Sequence, residues 1–401
     1  MIKREAISTY LYEVAYGKQK GVGPTILRIM LYGLSFIYLA LVSLSLALYR
    51  YKIIRKEYLA CKVISLGNIT VGGTGKTPTA QALAALIRDA GYKVAILNRG
   101  YRAQSKDGIG IVSDGAKIHM TAEEAGDEAY LLAKNLPGVP VLIGKQRAIT
   151  GRYAVEEFGV DFVILDDGYQ HWRLHRDIDI VLVDATNTFG NNYVLPRGTL
   201  REPLKNLRRA HAFLLTKVDQ TDCAAKEKLK QYLHEINPRA VITESIHNPK
   251  YLYRLDQWFN RGDSRPFSVP EIAEKKLLNF SGIGNPKSFE NTLVNMGGVC
   301  TATVRYQDHH KYTLDDMHHI MQQALKHNVD YIVTTEKDAV KIPPGFVRDV
   351  DWPVPMLILG IEVKMTVGST ELIEMIQNMV NKPKYGVVQY NCDTIDKSIN
   401  Q

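Results

Sequence analysis

Gly67-Asn68-Ile69-Thr70-Val71-Gly72-Gly73-Thr74-Gly75-Lys76-Thr77-Pro78 is the stretch that decides how this chain folds. Cys61 to Leu66 before it is short, apolar and rich in β-branched residues, which predicts a buried strand. Thr79 to Ala90 after it predicts a helix. A strand, a glycine turn ending in Gly-Lys-Thr and a helix together make a phosphate-binding loop. Its glycines let successive backbone N–H groups face one anion, and the helix N-terminus adds partial positive charge. Thr70, Val71, Gly72, Gly73, Thr74, Gly75, Lys76 and Thr77 are therefore the expected nucleotide contacts. Lys76 would reach the β- and γ-phosphates, and the Thr77 hydroxyl would hold Mg²⁺. Thr70 stands where the strict pattern has its first glycine, and Gly72-Gly73 can supply the lost backbone freedom. The alternative is a glycine turn without a ligand.

The 401 residues suggest two to three domains with room for a sizeable core. A net charge of +8 favours an anionic partner, either a phosphorylated substrate or a membrane surface. No nucleic-acid-binding signature is present, so nucleic acid is not an expected partner. Cys61, Cys223, Cys300 and Cys392 have no paired spacing. That points to reduced cytosolic thiols rather than disulfides or zinc.

Ile29 to Tyr49 carries no charge over 21 residues, enough to cross a bilayer. It starts too late, is too long and lacks the small-residue cleavage site of a secretory signal. Lys18, Lys20 and Arg28 precede it, and Arg50, Lys52, Arg55 and Lys56 follow. A spanning helix puts one of these basic flanks on the wrong side. A helix lying in the interface puts both at lipid phosphates. Spanning and interfacial readings stay open, and a buried core helix is a third.

From Cys61 to about Glu244, candidate strands (62–66, 94–98, 141–143, 162–165, 178–183 and 213–216) alternate with candidate helices (79–90, 123–135, 146–158 and 223–236). This predicts an α/β fold, a parallel sheet with helices on both faces. A second, smaller α/β unit has candidate strands at 277–280, 302–306, 331–334 and 356–359. The expected division is 1–57, a membrane-associated helix segment; 58–246, the phosphate-loop domain; 247–275, a linker with a turn at Arg261 to Pro266; 276–382, the smaller domain; and 383–401, a polar tail.

Ligands of such sheets sit beyond the carboxyl ends of the strands. Asp166-Asp167-Gly168-Tyr169-Gln170-His171 ends a strand, and an acid there is a second Mg²⁺ contact in phosphate-loop enzymes. Glu202, in Leu200-Arg201-Glu202-Pro203, is a candidate third acid. Asp127 and Glu128 start a helix, where the macrodipole alone would explain them. Arg99, Arg102 and Arg147 are candidate phosphate ligands or structural charges. Thr216-Lys217-Val218-Asp219 reads equally as a nucleotide-base contact or as surface charge. Asp308-His309-His310 suggests a metal site or an Asp–His pair. Thr335-Glu336-Lys337-Asp338 reads as a charged turn or as a functional one.

Taken together, these motifs resemble the tetraacyldisaccharide 4′-kinase family of lipid A synthesis. The likeness runs from Gly67-Asn68 through Arg99-Gly100-Tyr101, Gly126-Asp127-Glu128, Asp166-Asp167-Gly168-Tyr169-Gln170-His171, Leu200-Arg201-Glu202-Pro203 and Asp308-His309 to Thr335–Lys341, in family order. The family usually has Phe at the position of Tyr169. The resemblance implies transfer of the γ-phosphate of ATP to the 4′-hydroxyl of an acylated glucosamine disaccharide 1-phosphate, with Mg²⁺. It implies that Asp127 takes the hydroxyl proton, His309 pairs with Asp127, and the smaller domain acts as a lid. Lys76 and Arg147 would stabilise phosphoryl charge; Thr77, Asp166 or Asp167, and Glu202 would hold Mg²⁺; His171 would orient the acids. The lipid substrate implies work at the cytoplasmic face of the bacterial inner membrane, with no stable protein partner inferred. Two rivals share parts of the pattern. Partitioning-type ATPases carry a lysine where this chain has Val71, and a GTP-driven regulator would use Thr216 to Asp219.

Overall fold

The computed structural model describes residues 10–100, 108–259, 269–343, 346 and 353–380. Residues 1–9 of the leading segment, Tyr101 and Arg102, the turn from Arg261 to Pro266 and the tail 383–401 lie outside the described residues.

Twelve strands form one sheet: β1 (Lys62–Gly67), β2 (Val94–Asn98), β3 (Gly110–Ser113), β4 (Val141–Ile143), β5 (Phe162–Asp166), β6 (Ile178–Asp184), β7 (Ala212–Thr216), β8 (Val241–Arg254), β9 (Lys276–Ser281), β10 (Val299–Arg305), β11 (Tyr331–Thr335) and β12 (Met356–Val367). Their order is β10-β9-β11-β12-β8-β7-β6-β1-β5-β2-β4-β3. The central strands of the first half are parallel and covered on both faces. Ile64 and Leu66 of β1 face one apolar layer and Val63 faces the other, as the pleat requires. Two strands escaped the sequence pattern. One is the short antiparallel edge strand β3, and the other is β8.

β8 corrects the expected linker, because residues 247–254 are strand. It starts parallel to β7 and continues antiparallel to β12, so hydrogen bonding runs unbroken from one half to the other. Pro249 hides the strand in the sequence. It sits opposite Ile361 at a register shift, where the ladder tolerates a missing donor. Gly360 lies under the Tyr251 ring, which occupies the space a side chain would need. The expected division of 276–382 from 58–246 is also crossed. Leu372, Ile376 and Met379 of the helix Ser369–Val380 pack into the core of the first half.

The expected helix 123–135 is two helices, Ala122–Ala125 and Asp127–Asn135. Gly126, at φ 86°, makes the break, in a conformation that glycine adopts without a steric cost. The phosphate-loop helix starts earlier than its apolar pattern, at Lys76, with Pro78 in the first turn, where no N–H is needed.

The apolar N-terminal segment is one helix, Val22–Arg50, long and apolar enough to cross a membrane and mostly exposed. One face is docked. Ser35 Oγ lies 3.0 Å from the Val194 carbonyl oxygen and accepts the Arg197 N–H at 3.1 Å. Tyr38 donates to the Arg201 carbonyl at 2.8 Å, Tyr32 meets Tyr193 edge-on, and Tyr49 meets Trp172. On the other side Ile29, Met30, Ile37, Leu41 and Leu44 are more than half exposed.

The halves are also joined through Glu336. Its carboxylate accepts from the Tyr251 hydroxyl at 2.6 Å, Trp258 Nε1 at 3.1 Å and Asn135 Nδ2 at 3.3 Å. Glu336→Ala leaves the half-buried Tyr251 hydroxyl and the buried Trp258 donor without this acceptor. It is expected to cost about 3 kcal/mol in urea unfolding, with Glu336→Gln costing clearly less. Equal stability of wild type and the alanine variant would show that the join carries no load.

Candidate active site

A cavity of about 580 Å³ opens where the carboxyl ends of β1 and β5 meet those of β9 and β11. The phosphate loop forms one wall. Gly72 and Gly75 have φ of 130° and 87°, which explains the glycines there. Thr70 needs no such freedom, since it is held in a β-bridge to Leu200, with the next N–H, of Val71, bonded to the Thr199 carbonyl at 2.8 Å. Lys217 is turned inward rather than to the surface. Its ammonium bonds the Gly73 carbonyl at 3.2 Å and the buried Asp184 carboxylate, and Thr216 Oγ1 donates to the Thr74 carbonyl. The Thr216 to Asp219 motif thus braces the loop from behind.

Lys76 Nζ lies 3.3 Å from Asn68 Oδ1 and 3.5 Å from Asp167 Oδ1. Arg201 Nη1 donates to both Asp167 oxygens at 2.9 Å. Burial pushes the Asp167 carboxyl up, but Lys76 and Arg201 outweigh it and hold it below the usual range. Asp166 next to it is different. Burial, then the charges of Glu128 and Asp167, push its carboxyl up to about 7. Asn98 donates to its Oδ2 at 2.8 Å, while its buried Oδ1 has no hydrogen-bond partner.

His309 lines the cavity, and its Nδ1 meets Asp127 Oδ2 at 2.9 Å, joining residues 182 apart in sequence. His309 has φ 62°, and its backbone N–H bonds the Gly282 carbonyl. His310 points elsewhere, to Asp316 at 3.0 Å, so the two histidines do not share a metal. Lys337 closes the cluster, 3.1 Å from Glu128 Oε1 and 3.3 Å from Asp308 Oδ1.

Three expected site residues have partners the sequence did not name. Glu202 has both carboxylate oxygens engaged by other side chains. It is fully buried, clasped by Arg209 through two 2.7 Å bonds and bonded by Gln170 and Asn206. It acts at a distance, since Gln170 in turn accepts from Arg201, which holds Asp167. His171 makes no hydrogen bond to either acid among the described residues. Burial, then Arg147 and Arg176, depress its imidazole to about 4, so it is a neutral packing group beside arginines. Arg147 is itself buried, donates to the Gly144 carbonyl and does not line the cavity, whereas Arg99 and Arg201 do.

Comparison with known proteins decides the family. The model of the tetraacyldisaccharide-1-P 4′-kinase family matches residues 27–381. The chain belongs to this family. A tetraacyldisaccharide 4′-kinase from Syntrophus aciditrophicus is 42% identical over 303 residues, 74% of this chain and 79% of the relative. One from Halothermothrix orenii is 35% identical over 380 residues, 93% of this chain and 98% of the relative. The crystal structure of LpxK from Aquifex aeolicus in complex with ATP superposes with a TM-score of 0.67 at 30% identity, covering 88% of this chain and 99% of that one.

Sequence reasoning on this 4′-kinase chain named Lys337 only within Thr335 to Asp338 and Arg201 only within Leu200 to Pro203, and gave neither a role of its own. The usable signal was position: Lys337 follows the carboxyl end of β11, the edge where sheets of this kind bind ligands.

Burial pushes the Asp127 carboxyl up, but the His309 bond and the Lys337 ammonium prevail and hold it at about 2. A carboxyl depressed in the native state adds stability above its unfolded pKa of 3.8 and loses it as pH falls towards 2. Wild type should exceed Asp127→Asn by about 2 kcal/mol near pH 7, with the gap closing below about pH 4. Urea unfolding at several pH values measures it. A gap that stays constant down to pH 3 contradicts the assignment.

Proposed function

We propose that the chain transfers the γ-phosphate of ATP to the 4′-hydroxyl of a tetraacylated glucosamine disaccharide 1-phosphate, a step of lipid A biosynthesis. Family membership supports the reaction, and the ATP complex of the Aquifex aeolicus protein supports the donor. The observation that carries the reading is that His309, bonded to Asp127, lines the same cavity as the phosphate loop. A sugar hydroxyl is a weak nucleophile, and a carboxylate held in a fixed pose can take its proton as the bond to phosphorus forms. Asp127 takes that role, and His309 aims it. Lys76, Arg201 and Arg99 hold the phosphates and spread their charge. Lys217 and Thr216 keep the loop in shape, and Glu202 with Gln170 keeps Arg201 on Asp167.

The residues at the strand ends fit a divalent cation. Asp166 presents a buried oxygen with no partner, and a neighbouring cation would stabilise its charged form. Thr77, Asp166 and Asp167 are the proposed holders, matching the one or two carboxylates that join substrate phosphates at Mg²⁺ sites. Bound Mg²⁺ supplies electrostatic stabilisation of the transferred phosphoryl group.

The substrate's acyl chains place the work at a bilayer, here the cytoplasmic face of the inner membrane. The docking of Val22–Arg50 favours the interfacial pose over spanning. Its midpoint, Ser35 and Tyr38, is bonded to the loop 194–201, and a spanning helix would carry that polar backbone into hydrocarbon. The free face of Ile29, Ile37, Leu41 and Leu44 then meets lipid, with Arg28 and Arg50 at headgroups.

With labelled ATP and a lipid A precursor as acceptor, Asp127→Asn is expected to lower kcat by about 10² or more with ATP affinity retained. Near-normal turnover removes Asp127 from the role, and an inert wild type removes the reaction. In vesicle flotation with anionic lipid, the double substitution Ile37→Glu and Leu41→Glu should abolish binding while ATP affinity persists. Unchanged flotation rules the helix out as the membrane contact.

A further inference from the structure

We propose that Lys337 is a positioning residue that fixes the tautomer and the aim of His309. The inference rests on the reading of Asp127 and His309 as the proton-handling pair. Lys337 follows β11 directly, and its side chain is only 21% exposed. Its ammonium stands 3.4 Å from His309 Nε2, on the side of the ring away from Asp127, and is anchored by Glu128 and Asp308.

The chemistry of the two groups leaves one arrangement. A lysine ammonium carries three protons and no lone pair, so it can only donate. The Nε2 atom it faces must therefore present its lone pair. A proton on Nε2 would point at the ammonium. With Nε2 unprotonated, the imidazole proton lies on Nδ1 and points at Asp127 Oδ2, 2.9 Å away. Lys337 thus decides which nitrogen donates to the base, without touching the base.

The same ammonium balances the charges packed around the ring. Three carboxylates face His309: Asp127 at 2.9 Å, Asp308 at 3.9 Å and Glu128 at 4.0 Å. Lys341 lies further off, acts on Asp127 electrostatically, and pairs directly with Asp338 at 2.8 Å. Without Lys337 the ring stands among these three carboxylates with less positive charge near it, a setting that favours a doubly protonated imidazole. An imidazolium would grip Asp127 more tightly and hold back the lone pair that must accept the hydroxyl proton. The cost falls on kcat and not on nucleotide binding, because Lys337 pairs with Glu128, Asp308 and His309 rather than with the phosphate loop.

The test reads the imidazole itself. In full-length protein labelled with ¹⁵N-histidine, with the His309 signals identified by their loss in His309→Gln, wild type is expected to show a protonated Nδ1 and an unprotonated Nε2. Lys337→Met is expected to protonate Nε2 and to lower kcat at least tenfold with KM for ATP within a factor of two. Lys337→Arg, another donor-only cation, should restore most of both, and Lys337→Gln should restore neither. An Nε2-protonated His309 in wild type overturns the proposal, and this measurement needs no variant of Lys337 that folds. So does an unaltered His309 spectrum in Lys337→Met. The failures are separable. Full turnover in Asp127→Asn sinks the catalytic reading and leaves the tautomer result standing, while the wrong tautomer beside an inactive Asp127→Asn sinks only this inference.

Discussion

The antiparallel ladder between β8 and β12 is the constraint on which the rest depends. A parallel continuation of the sheet would point every strand the same way and leave the carboxyl ends along one outer edge. Because β8 runs 14 residues, it continues past the end of β7, and β12 pairs with it from Glu244 to Arg254. The strands of the second half then run back towards the first. Carboxyl ends converge from both sides on one cavity, with His247 of β8 at the crossing. That reversal lets a histidine after β10 reach an aspartate before β4 at hydrogen-bond distance. The ligand-binding edge of an open α/β sheet is here two edges facing each other.

Within the cavity, two cations beside the phosphate loop share one acid. Asp167 sits between Lys76 and Arg201. A buried ammonium left alone would lose much of its charge or its place. Asp166, one residue earlier, feels Lys76 only at a distance and is pushed towards neutrality by burial and by the acids around it. Two adjacent carboxylates thus differ because of what faces them.

Much of this was readable in the sequence, for identifiable reasons. The parallel strands of the first half are short apolar runs bounded by turns, and their period leaves little choice. The phosphate loop and Asp166-Asp167 combine a local motif with a required strand end. β8 was not readable, because His247, Asn248, Pro249 and Lys250 look like a linker, and only its pairing with β12 makes them strand. The break at Gly126 was missed because the pattern carried through a residue whose φ is set by its neighbours. The partner of Glu202 was not readable, because Arg209 lies seven residues on and no rule of local spacing names it.

Arg201 shows how the membrane helix and the chemistry form one structure. Its backbone carbonyl takes the Tyr38 hydroxyl of the apolar helix, and its guanidinium holds Asp167. The residue just before it, Leu200, pairs with Thr70 at the root of the phosphate loop. That apolar helix is therefore joined to the cavity through one short segment, not through a flexible tether. In the interfacial pose proposed above, the depth of the helix would set the height of the phosphate loop above the lipid headgroups. An acceptor whose tails stay in the bilayer has a narrow range of heights for its sugar. A rigid connection of this kind matches that range without lifting the lipid out, a step that would expose its acyl chains to water at about 0.8 kcal/mol for each CH₂. The free apolar face of the helix, the docked face and the acids beyond Arg201 are thus parts of one geometric requirement.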